Sequence, residues 1–168
     1  MSDRRITPLV ALAATRPEAP WPEELDLDRF RALLLETAPS AVDVRDISDA
    51  RSLRDTVAAL LLDGSDAGAF ALANETMAQH GVTPVVDGSG IRYRSSRTDT
   101  VSAVWAEIAG PLLAALAAGV RGRVRRCASD PCVTPFIDTA QGGREYCCAR
   151  CATRARVRRH RAEKTTAR

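Results

Sequence analysis

All five cysteines of this 168-residue chain fall between positions 127 and 151, and none occurs before them. An odd number of cysteines crowded into one short segment makes a poor disulfide framework and a good metal site. The order is Cys127-x4-Cys132, a spacer of about 15 residues, then Cys147-Cys148-x2-Cys151. Two local clips joined by a hairpin-sized spacer suit one structural Zn²⁺, which takes four tetrahedral N/S ligands. Asp130-Pro131 turns the chain so that the thiolates of Cys127 and Cys132 converge. The second pair is open: Cys148 with Cys151 gives the commoner C-x2-C clip, slightly preferred by spacing, and Cys147 with Cys151 gives C-x3-C. Cys151 opens a helix, where the helix dipole and the metal both favour a thiolate. The spacer is expected to hold a short strand at Phe136-Ile137, a Gly142-Gly143 turn and a second strand ending at Tyr146.

Charge divides the chain at the same place. The net charge of +3 averages 11 basic and 17 acidic residues in 1–120 with 13 basic and 4 acidic in 121–168, or −6 against +9. Such asymmetry implies a basic module for a polyanion beside an acidic domain. From Ala149 the sequence predicts a helix with Arg150, Arg154, Arg158 and Arg161 in one stripe, widened by Arg156 and Arg159. Arginine forks match phosphate oxygens and guanine edges. A Zn(Cys)4 centre carries −2, which two or three arginines would neutralise, and the segment holds many more. Double-stranded DNA is the expected partner, because a finger-borne helix can enter the major groove. RNA and single strands are less favoured, since Phe136 and Tyr146 are the only aromatics of the segment available for stacking. The competing reading docks the finger on an acidic partner protein, and a redox role for the Cys147-Cys148 pair ranks below both. Catalysis is not expected: four thiolates close the metal to water, and no phosphate loop, nucleophile elbow or paired-His helix occurs.

The fold class expected is α+β and mainly helical. Residues 1–120 form a helical domain with a small β-hairpin, and residues 121–168 form a zinc finger of knuckle, hairpin and basic helix. A hydrophobic content of 45% excludes a wholly disordered chain. No apolar run approaching the ~18 residues of a membrane span is expected, nor a secretory cleavage site within Met1–Arg16. A cytoplasmic protein without membrane contact is expected. Residues 1–22, with Pro8, Pro17, Pro20 and Pro22, predict an extended arm with a short strand at Leu9–Leu12. Asp26 and Asp28 open a helix reaching about Thr37, Ser48 caps another ending at Gly64, and a third spans Ala67–His80 with Phe70, Asn74 and Met77 on one side. Pro84–Val86 and Ile91–Arg94 flank the turn-rich Asp87-Gly88-Ser89-Gly90, a hairpin signal. A longer helix capped near Thr98 or Asp99 buries Val101, Val104, Trp105, Ile108, Leu112, Leu113 and Leu116, with a kink at Pro111. His80 reads as a helix-end cation, and Glu75 and Glu107 as solvated. Gly119 and Gly122 mark a hinge.

Arg125-Arg126-Cys127-x4-Cys132, Phe136-Ile137-Asp138, Arg144-x-Tyr146-Cys147 and the run from Cys151 to Arg161 resemble the bacterial CGNR zinc-finger family. In that family an aromatic directly precedes a ligand cysteine, and a C-G-N-R box opens a basic helix. The resemblance implies Cys127, Cys132, Cys147 and Cys151 as ligands, with Cys148 at a position usually small and polar. Cys151-Ala152-Thr153-Arg154 replaces the name-giving box, and the interval before it is one residue shorter. Upstream, Leu72–Met77, the Val85–Tyr93 hairpin and the Trp105–Leu116 helix are similar to the domain usually joined to this finger, described as a stress-induced transcription regulator. The resemblance therefore implies a DNA-binding regulator whose N-terminal domain senses a signal or dimerises.

Overall fold

Helix caps fix most element boundaries in the N-terminal half. The computed structural model describes residues 6–17, 22–88, 90–132, 134–138 and 143–166. It divides into two compact units, Met1–Arg121 and Gly122–Arg168.

The first unit begins with α1 (Thr7–Ala13), not the expected arm and strand. Pro8 lies in the first turn, where its missing N–H has no helical partner to lose, and Leu9, Val10 and Leu12 are buried. In α2 (Leu27–Leu34) the Asp26 carboxylate accepts from Arg29 N at 2.7 Å. This helix stops short of Thr37, whose N–H and that of Ala38 both turn back to the Leu34 carbonyl. The cap of α3 (Ile47–Leu62) is Asp46, which accepts from Ser48 N, so Ser48 lies inside the helix. Ser65 caps α4 (Asp66–Gln79), whose buried positions are Ala69, Ala73, Thr76 and Met77, while Phe70 is 45% exposed. Gly81 ends it at φ +61, and a Cβ there would lie 2.3 Å from Ser96 Oγ, so glycine is required.

Strands β1 (Val82–Asp87) and β2 (Gly90–Ser95) form the expected antiparallel hairpin, from Val82↔Ser95 to Asp87↔Gly90. Helix α5 (Thr100–Ala117) is capped by Asp99 and continues through Pro111. Its mean hydropathy of 1.5 over 18 residues makes it long and apolar enough to cross a membrane, which corrects the sequence reading. Burial accounts for that composition: Val104, Trp105, Ile108, Leu112 and Leu116 are at most 3% exposed, packed in a core with Leu9, Leu12, Phe30, Leu34, Leu60 and Leu61. Each such side chain contributes roughly 1.5–3 kcal/mol of transfer free energy. Glu107, the one charge on α5, accepts from Ser40 N at 2.9 Å and Ser40 Oγ at 2.8 Å, so it is a structural anchor and not a solvated residue. Arg54, 3% exposed, is held by both Glu23 oxygens at 2.6 and 2.7 Å.

The second unit contains β3 (Val124–Arg126), β4 (Pro135–Ile137) and α6 (Ala149–Thr166). Strand β4 pairs antiparallel with β3, Val124↔Ile137 to Arg126↔Pro135. The expected second strand ending at Tyr146 does not form: residues 143–146 are irregular. Their place in a ladder is taken by the upstream strand β3. Residues 139–142, including Gly142 of the expected turn, lie outside the described residues.

Candidate metal centre

The first clip is a tight turn held by its own backbone. Cys127 N–H donates to the Thr134 carbonyl at 3.1 Å, which continues the β3–β4 pairing, and Cys132 N–H donates to the Ser129 carbonyl at 2.6 Å across Asp130-Pro131. The second clip runs from an irregular approach into the first turn of α6. Ala128 N–H donates to the Glu145 carbonyl at 2.9 Å, and Cys147 N–H lies 3.4 Å from Cys127 Sγ. The Arg144 guanidinium donates to the carbonyls of Tyr146 and Cys147 and stacks 5.2 Å over the Phe136 ring. One side chain thus supplies donors that strand pairing would otherwise give.

These constraints gather the sulfurs of Cys127, Cys132, Cys147 and Cys151 within 4.8 Å of one another. Cys147 Sγ lies 3.7 Å from both Cys132 Sγ and Cys151 Sγ. A tetrahedron of sulfurs around Zn²⁺ at about 2.3 Å has edges of about 3.8 Å, so the cluster fits one structural zinc ion. Cys148 is exposed and outside the cluster. Spacing slightly preferred Cys148, but position decides otherwise: Cys147 points inward with Cys151 one helical turn later. The buried Cys127, Phe136 and Cys151, with Cys132, Tyr146 and Cys147 against them, make a core that depends on the metal ligands themselves.

The protonation of the thiols follows their surroundings. Burial pushes Cys151 up to about 11, helped by neighbouring thiols, and pushes Cys147 up as well. Burial also acts on Cys132, but hydrogen bonds with the Thr134 hydroxyl and backbone outweigh it and hold the thiol at about 7. Without a cation Cys147 and Cys151 keep their protons, and a divalent ion must displace them.

Residues 123–164 match the family model of the CGNR zinc finger. The four-cysteine cluster and the family match agree on this segment, and the match does not extend to the N-terminal unit. No curated protein matches the chain.

In this CGNR finger the arginines of α6 do not form one broad stripe. Cys151 and Ala155 face inward. At about 100° per residue, Arg150, Arg154 and Arg161 cluster on one flank, whereas Arg156 and Arg159 project roughly 120–180° away. Arg158, near the inward edge, donates to the Asp130 carboxylate at 2.8 Å and ties α6 to the first clip. Among the described residues Arg150, Arg154, Arg156 and Arg159 carry no ion pair. Thr153, Val157 and His160, all exposed, lie between the two flanks. The Arg144 clamp, the Thr134 hydroxyl and the Asp130–Arg158 pair were not assigned roles from sequence. Arg144 sits in the motif that carries the resemblance, which was the available signal.

Proposed function

We propose that the chain is a cytoplasmic, zinc-dependent regulator of transcription that binds double-stranded DNA through α6 of its CGNR finger. The observation that carries this reading is that Arg150 and Arg154 on one flank of α6 and Arg156 and Arg159 on the other carry no ion pair among the described residues, with Thr153, Val157 and His160 between them. A helix in the major groove has a phosphate backbone on each side and base edges ahead of it. Two arginine flanks around a short, uncharged stripe match that demand. The zinc ion has a structural role and no catalytic one, since four thiolates leave no open position. The N-terminal unit, similar in sequence to a stress-induced regulator domain, would sense a signal or form a homodimer.

Docking on an acidic protein is the competing outcome. The two separate in an anisotropy titration of full-length, zinc-loaded protein against duplex DNA, duplex RNA and a polyglutamate peptide. Binding should favour duplex DNA, disappear on zinc chelation, and weaken in an Arg150→Ala, Arg154→Ala variant that keeps its zinc. Equal or tighter binding to polyglutamate would move the assignment to a protein partner.

A further inference from the structure

Between α3, α4 and the start of α5 the N-terminal unit carries a cavity of about 750 Å³, inside the range of roughly 300–1,000 Å³ usual for small-molecule sites. Its wall is acidic, with Asp43, Asp46, Asp49, Glu75 and Asp99 against the single cation Arg45. Three of the carboxylates are engaged. Asp46 and Asp99 cap helices, and Asp43 lies 3.9 Å from Arg45. Asp49 on α3 and Glu75 on α4 are exposed and make no hydrogen bond or ion pair among the described residues.

Trp105 also lines the cavity, although it is only 2% exposed. Its indole N–H makes no hydrogen bond among the described residues and is not one of the buried atoms left without a partner, so it is open to solvent. His80 stacks on Trp105, with ring centroids 5.8 Å apart. The tautomer of His80 follows from its neighbours. Asp99, held at about 2 by the Ser102 backbone N–H and by Arg97, is ionised and can only accept. The Ser102 hydroxyl gives it its single proton at 2.9 Å. Ser102 Oγ, 2.9 Å from His80 Nδ1, must therefore accept from Nδ1–H. That leaves His80 Nε2 as an acceptor. Burial, then the nearby Arg97, lower the His80 pKa despite Asp99, so the ring is neutral and is not the helix-end cation expected.

The cavity thus offers free carboxylates, one imidazole acceptor and one indole donor. No three of these groups converge on a common point as the four cysteines do, which disfavours a bare metal ion. We propose that the cavity binds a small organic cation, an amine or guanidinium compound that also carries a hydrogen-bond acceptor. The cation faces Asp49 and Glu75, one of its N–H groups meets His80 Nε2, and its acceptor takes the Trp105 N–H. The site lies wholly in the N-terminal unit and stands independently of DNA binding by the finger.

The test uses full-length, zinc-loaded protein with ¹⁵N-labelled tryptophan, since Trp21 and Trp105 are the only two. L-argininamide, agmatine and benzamidine serve as probes and succinate as the anionic control. L-argininamide should shift the Trp105 indole N–H resonance saturably by about 10 mM, and succinate should not. An Asp49→Asn, Glu75→Gln variant should keep the melting temperature and bind roughly tenfold more weakly. The assignment is overturned by no saturable shift with any of the three cations, by an equal response to succinate, or by unchanged affinity in the variant.

Discussion

Two adjacent cysteines offer the sharpest perturbation of the metal centre, because Cys147→Ser and Cys148→Ser alter neighbouring positions by the same single atom. Cys147 Sγ lies 3.7 Å from two other cluster sulfurs, whereas the Cys148 side chain is exposed and outside the cluster. Structural zinc sites contribute about 10–16 kcal/mol of apparent binding free energy, so one of four thiolates is worth roughly 2.5–4 kcal/mol. Cys147→Ser should therefore weaken zinc binding by roughly 10²–10³-fold. Cys148→Ser removes no ligand and should stay within about 0.5 kcal/mol, as exposed substitutions do. Competition with a chromophoric chelator measures both affinities, and a melt with and without zinc measures the linked stability. If Cys148→Ser loses the ion while Cys147→Ser retains it, the ligand assignment and the geometry behind it are wrong.

Protonation gives a second prediction. Below about pH 7 the Cys132 thiol joins those of Cys147 and Cys151 in holding its proton, so zinc affinity should fall more steeply with acid there, by one further proton per ion. Chelator competition across pH 5.5–8.5 reads the slope. Asp130→Asn breaks the exposed pair with Arg158. It should cost at most about 1 kcal/mol in a denaturant melt and tighten DNA binding, since an anion leaves the basic helix. Arg54→Ala in the N-terminal unit strips Glu23 of its bidentate partner and should cost about 3 kcal/mol in urea unfolding.

Legibility from the sequence followed the range of the interaction. The β1–β2 hairpin and the Asp26 cap depend on neighbours within a few residues, and each could be read from type and spacing. The metal site was legible because thiolates at clip spacing have few alternative uses. The partner of β4 was not, since Gly142-Gly143 advertised a downstream hairpin while the pairing strand lay before Cys127. Two further readings failed for tertiary reasons. Glu107 looks solvated until Ser40 arrives from 67 residues away. His80 looks like a cation until Trp105 and Ser102 bury it. The apolar length of α5 is local: Glu107, Gly110 and Pro111 interrupt the run in the sequence, and the helix continues through them.

The most direct test of nucleic-acid binding is the salt dependence of full-length, zinc-loaded protein on duplex DNA. Each phosphate neutralised adds about −0.9 to the slope of log K against log salt. Arg150, Arg154, Arg156 and Arg159, which carry no ion pair among the described residues, predict a slope of about −3 to −4, reduced by about two in the Arg150→Ala, Arg154→Ala variant. A flat salt dependence, or a slope that the variant leaves unchanged, would contradict binding through this helix.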